Sequence, residues 1–255
     1  MYGTAWKEDA TEACVLAALE AGFRAIDTAN QRKHYYEQGV GRAIARSGVP
    51  RAELFIQTKF TFRDGQDHRL PYNPNAPVRD QVRQSHDVSL AHLGIAKLDS
   101  YVLHGPSQRD GLGAIDREAW RAMEALPVGS LGISNVTASQ LRELLAFASV
   151  KPRYVQNRCY ASTGWDADVR AICRAEGLVY QGFSLLTANR SAVARLAPLA
   201  AKYEVQPPQI VFRFAQQVGM LPLTGTKDPR HMRQDLACDE LTLTPDEIAM
   251  IEKLG

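Results

Sequence analysis

Short apolar runs alternate with longer amphipathic segments along the whole chain. The runs at residues 23–27, 54–59, 98–104, 130–134, 154–157, 178–183 and 219–223 read as strands, since near-continuous apolar stretches of this length suit parallel strands covered on both faces. The segments at 8–21, 36–45, 78–93, 117–126, 137–147, 167–176, 191–203 and 208–217 carry apolar residues at helical spacing and read as helices. Thr137 with Gln140, and Thr244 with Pro245 and Glu247, have the form of helix-starting caps. Gly22, Gly94 and Gly177 each fall just past a helical run, where a left-handed residue closes a helix. Strands alternating with helices predict an α/β fold with a parallel sheet, and an eighth strand is sought at residues 1–4. The expectation is a single-domain (β/α)8 TIM barrel over residues 1–255, with its first strand truncated.

Composition narrows the function. The 255 residues are 45% hydrophobic, enough for one large core. Thirty basic and 28 acidic residues leave a net charge of +2, spread evenly, so no electrostatic footprint argues for nucleic acid. No stretch has the length and apolarity of a membrane span. Four scattered cysteines, with no CxxC pair, fit reduced thiols and a cytoplasmic location. No metal site is expected, and the partner is a small molecule bound by a monomer or weak homo-oligomer. The irregular segment 61–77 follows the third strand, where barrels insert substrate-facing loops.

The candidate chemistry sits at strand ends. Asp27, Lys59 and His104 each close an apolar run, and the C-terminal ends of neighbouring parallel strands converge on one mouth. Singly, such residues are commonly a helix cap, a solvated amine and a hydrogen-bonded structural imidazole. Jointly, they place an acid, an amine and an imidazole in one region.

Gly22, Arg24, Ile26, Asp27, Thr28 and Ala29 resemble the GxRxIDTA signature of the aldo-keto reductase superfamily. Glu37, Val40 and Gly41 are similar to its ExxVG continuation, and Lys59, His104 and the run from Leu131 to Asn135 match three further motifs in the same order. The resemblance implies a barrel, here with the family's N-terminal hairpin truncated along with the first strand, that reduces an aldehyde or ketone with hydride from NADPH, NADH being the alternative cofactor. A tyrosine hydroxyl would donate the proton, and tyrosine titrates near ~10 in water unless a cation lowers that value. By resemblance Lys59 supplies the cation, Asp27 pairs with it, and His104 orients the carbonyl. The tyrosine is placed at Tyr35, with Tyr36 and His34 as neighbouring alternatives.

The same resemblance implies a cofactor site made by Gly3, Thr4, Ala5, Asp27, Ser134, Asn135, Gln156, Phe183, Ser184, Leu186, Thr224, Thr226, Lys227, Gln234 and Asp235. Ser134, Asn135 and Gln156 would meet the nicotinamide carboxamide, and Phe183 would stack on its ring. Ser184, Leu185 and Leu186 stand where the family has SPL, and Leu223 stands where it has a lysine. Trp6, Tyr36, Phe60 and His104 would touch substrate. Two other readings remain at this point: a catalytically weak NADPH-binding regulatory protein on the same barrel, and a Schiff-base enzyme using Lys59 as amine.

Overall fold

A computed structural model describes residues 1–255, which fold as two compact units, 1–154 and 155–255. The first unit alternates strictly: β1 (Tyr2–Gly3), α1 (Thr11–Ala21), β2 (Ala25–Asp27), α2 (Glu37–Arg46), β3 (Phe55–Phe60), α3 (Val78–Leu93), β4 (Ser100–Leu103), α4 (Ala114–Glu124), β5 (Leu131–Ser134) and α5 (Ala138–Phe147). Its five strands pair in chain order and all in parallel, with Gly3 beside Asp27, Asp27 beside Gln57, Lys59 beside Val102 and Leu103 beside Ile133. That register brings the ends of β2, β3 and β4 to one side, which is what gathers the candidate residues.

The sequence continues through β6 (Tyr154–Arg158), α6 (Ala167–Glu176), β7 (Val179–Phe183), α7 (Arg190–Arg195), α8 (Ala197–Lys202), α9 (Pro207–Gln217), β8 (Met220–Pro222), α10 (Pro229–Ala237) and α11 (Pro245–Glu252). Within the second unit β7 and β8 pair in parallel. In chain order the eight strands and their helices give the repeat of a (β/α)8 barrel, as the pattern predicts. The first strand is two residues long.

Local chemistry explains most boundaries. Thr137 and Gln140 form a reciprocal cap on α5, and Thr244 with Glu247 does the same for α11. Gly22, Gly94 and Gly177 all adopt the left-handed conformation that ends α1, α3 and α6. The single helix expected over 191–203 is instead two, α7 and α8, because Pro198 cannot donate the backbone bond that would carry one helix through Leu196. α4 begins three residues before the expected 117, at Ala114. The buried Asp116 carboxylate draws the turn together by accepting from Gly113 N at 2.8 Å and Ser107 N at 2.7 Å. α10 is polar enough to escape periodicity, with only Met232 buried; its signals are the Asp228 cap and the following Pro229.

Each unit has its own aromatic anchor. Trp120 is fully buried and donates its indole N–H to Val150 O, and Trp165 does the same to Ile251 O. All four cysteines are buried and unpaired. No helix is long and apolar enough to cross a membrane.

Candidate active site

The first unit brings Asp27, Tyr35, Lys59 and His104 together. β3 is the organiser. Side chains two apart on a strand share a face, so Gln57, Lys59 and the next alternate residue, Thr61, point the same way. Lys59 is fully buried, and its Nζ lies 2.7 Å from both Asp27 carboxylate oxygens and 2.8 Å from Thr28 O. Gln57 donates to Asp27 Oδ1 at 2.7 Å, and Thr61 Oγ1 stands 2.7 Å from His104 Nδ1. One strand face therefore steadies both the acid and the imidazole.

Tyr35 lies on the loop between β2 and α2. The Lys59 ammonium is 5.2 Å from its ring centroid, and the His104 ring meets it edge-on at 5.9 Å. Tyr36 faces other partners: Arg32 sits over its ring at 4.3 Å, and Arg42 reaches its hydroxyl at 3.5 Å. His34 stacks on Trp6 with centroids 3.9 Å apart, and Trp6 N donates to His34 O at 2.7 Å. Of the three neighbours, Tyr35 is the one beside Lys59 and His104.

The electrostatics follow from burial. Desolvation pushes the Lys59 ammonium below the usual lysine value, while Asp27 and then Glu37 pull it back up. Burial, with the nearby Lys59 and His34, pushes His104 down to about 3, so the imidazole is neutral in neutral solution. Burial and Lys33 also lower His34, with Asp67 opposing them.

The remaining residues named from the sequence fall into separate groups. Thr4 is fully buried and donates both N–H and hydroxyl to the main-chain oxygen of Asp27, so it anchors the end of β2 from the residue after β1. Gly3 and Ala5 flank it. Phe60 is fully buried against Phe62 and Tyr72 and packs the start of the 61–77 loop. Ser134 ends β5, and Asn135 follows in the left-handed conformation, donating to His104 O at 2.8 Å and Ser134 Oγ at 3.1 Å.

In the second unit, Gln156 is buried on β6 and donates to Gln181 at 3.0 Å. Phe183 ends β7 with the Arg158 guanidinium 5.5 Å above its ring. Ser184 follows in the left-handed conformation, and Leu186 lines a shallow apolar hollow with Arg190, Val193 and Pro207. The loop that lacks the family's proline is stapled by Asn189, which donates to Cys159 O and Leu185 O and accepts from Ala161 N. After β8, Thr224 donates to Asp235 at 2.6 Å, and burial pushes that carboxyl up to about 6. Thr226 caps the Asp228 amide, Lys227 is exposed, and Gln234 is partly buried.

Sequence reasoning missed Gln57, Thr61 and Asn189. Strand alternation about Lys59 was a usable signal for the first two. No pattern in the sequence marks Asn189.

A parallel β/α chain thus holds a buried acid–amine pair and an imidazole at its strand ends, with a phenol beside them on the β2–α2 loop. The sequence profile of the Aldo/keto reductase family matches residues 2–189. The chain is 30% identical over 248 residues to an aldo-keto reductase of Mycolicibacterium vanbaalenii, covering 95% of this chain and 82% of the relative. It is 31% identical to the NAD/NADP-dependent indole-3-acetaldehyde reductase of Schizosaccharomyces pombe, covering 93% and 81%. Among solved structures it is similar to the aldo/keto reductase of Brucella melitensis, with a TM-score of 0.82, 26% identity and coverage of 100% and 93%. The Bombyx mori aldo-keto reductase, solved with NADP, gives 0.80, 25%, and coverage of 99% and 87%. The chain belongs to the aldo/keto reductase family, whose members reduce carbonyl compounds with NAD(P)H.

Proposed function

We propose that the chain reduces an aldehyde or ketone to an alcohol, with Tyr35 as proton donor and NADPH preferred as hydride source. The observation that carries this reading is the Lys59 ammonium, bidentate on Asp27 and 5.2 Å from the Tyr35 ring. A buried cation beside a phenol lowers the work of releasing its proton to an oxygen that is gaining charge. Asp27 keeps the amine charged and aimed, and Gln57 and Thr4 keep Asp27 in place. A Schiff-base role would need Lys59 neutral and free to attack, whereas here it is held by three oxygens.

His104 is neutral, and Thr61 at its Nδ1 supports the tautomer with hydrogen on Nε2. That N–H donates to the substrate carbonyl and aligns it with the phenol. Trp6, exposed and stacked on His34, offers an apolar face to the rest of the substrate.

The residues present suit a nicotinamide cofactor. In the first unit, Ser134 at the end of β5 and Asn135 after it carry a hydroxyl and an amide of the kind that binds a carboxamide; in the second, Gln156 on β6 and Phe183 at the end of β7 are assigned to the carboxamide and the ring by resemblance. When bound, the nicotinamide supplies the hydride. Thr224, Thr226, Lys227, Gln234 and Asp235 are assigned to the adenosine end by resemblance, as are Ser184 and Leu186 to the diphosphate. Four buried thiols, none paired, suit a cytoplasmic protein acting as a monomer or weak oligomer.

The test compares Tyr35→Phe with Tyr36→Phe. Tyr35→Phe should lower kcat for simple aldehydes at least ~100-fold with NADPH affinity unchanged, as expected for loss of a general acid. Tyr36→Phe should stay within a few-fold of the parent. The reverse order would overturn the assignment.

A further inference from the structure

The motif that joins Glu37 to Gly41 is not used by the four catalytic residues, yet the structure buries it beside them. Glu37 is the first residue of α2, two positions after Tyr35, and only 2% exposed. Its Oε1 accepts from Thr58 Oγ1 at 2.6 Å and Ser89 Oγ at 2.9 Å, and its Oε2 faces His92 Nδ1 at 3.0 Å. Gln38 holds the other His92 nitrogen at 2.9 Å. Thr58 immediately precedes Lys59 on β3, so the two side chains leave the strand on opposite faces.

Tyr35 and Lys59 come from different segments, a loop and a strand, whose backbone bonds, Thr28 N to Gln57 O and Asn30 N to Lys59 O, lie at the start of the loop, five or more residues before Tyr35. Glu37 bridges the two segments next to both. Gly41 explains how the bridge stays closed: a Cβ there would lie 2.2 Å from His92 O, so α2 and the end of α3 meet backbone to backbone. We propose that Glu37 is a positioning residue for carbonyl reduction, a buried carboxylate that clamps the Tyr35 loop to Thr58 and so sets the phenol against the Lys59 ammonium. The inference rests on the reductase reading above. A second consequence is electrostatic. Asp27 meets the Lys59 ammonium on one face of β3 and Glu37 meets Thr58 on the other, so Glu37 acts on Lys59 across the strand and adds to the forces that keep it charged.

The charged and titratable groups that act on Glu37 are His92 from α3, in contact with it, Tyr101 from β4 and, across β3, Lys59. Removing a negative charge near a proton-holding pair lowers the pH at which the pair loses its proton. Glu37→Gln should therefore reduce kcat about tenfold and move the basic limb of the kcat/KM profile down by about half a pH unit, with NADPH affinity unchanged. Thr58→Val keeps the charge and the shape but removes the clamp at β3. It should reduce kcat several-fold and leave the limb in place.

Amide hydrogen exchange at Tyr35 and Tyr36, read without substrate or cofactor, should quicken at least ~10-fold in both variants. Full activity and unchanged exchange in folded Thr58→Val would overturn the clamp, even if Glu37→Gln failed to fold. An unmoved basic limb in folded Glu37→Gln would overturn the electrostatic half. A parent chain that oxidises NADPH with no aldehyde or ketone would overturn the reductase reading itself, and this inference with it.

Discussion

Lys59 and Asp27 replace each other's water. Both are almost fully enclosed, and burying two ions is favourable only because they share two short contacts and because Gln57 and Thr28 complete the set. Such a pair is expensive to break and cheap to delete. Lys59→Met should abolish turnover and also destabilise the fold by ~3 kcal/mol or more, since Asp27 is left charged in an enclosed site. Adding Asp27→Leu to Lys59→Met should return part of that stability. Urea denaturation of the two single variants and the double variant would show it, and strictly additive losses would mean that the ions do not couple. The acid, amine and imidazole were legible in the sequence because each ends an apolar run. The orientation of the three rings at 34–36 was not, because a loop has no period to say which of three adjacent rings turns inward, and Tyr35 was named by resemblance alone; in the structure Arg32 and Arg42 engage Tyr36, and Trp6 engages His34.

At the scale of elements, strands were easier to read than helix ends. Apolar runs set β3 to within a residue of expectation, and glycine and threonine caps fixed α1, α3, α5 and α6. Pro198 split an expected helix, and the polar α10 went unseen because it buries one apolar residue. Helix packing was also hidden, since contact between α2 and α3 depends on which small residue faces which carbonyl. Gly41→Ala tests that contact. A methyl group at 2.2 Å from His92 O forces the helices apart, and the expected loss is about 2 kcal/mol or more, far beyond the gain that alanine brings to a helix interior. A thermal shift near zero would show that α3 gives way freely.

For the whole molecule, two groups pull stability in opposite directions with pH. The folded chain holds His104 at about 3, against an ordinary value of 6.5, so below pH 6.5 the unfolded chain binds a proton that the folded one refuses. Stability falls as pH drops through that window. Asp235 is the reverse: folded it titrates at about 6 and unfolded at 3.8, so stability falls as pH rises from 3.8 through 6. Asp235→Asn should remove the second loss alone, raising Tm at pH 8 by roughly 3 °C and leaving it unchanged at pH 4. A gain of equal size at both pH values would assign the effect to packing instead of charge. None of this was visible in the sequence, where Asp235 stands in a polar segment with no mark of burial.

The placement of the three tryptophans has an optical consequence. Trp120 and Trp165 are fully enclosed, while Trp6 is 63% exposed and stacked on His34, next in the chain to Tyr35. A quencher dissolved in water reaches one indole and leaves two dark to it. The quenchable part of the emission thus reports on the neighbourhood of Tyr35, and the protected part provides an internal reference for the rest of the chain.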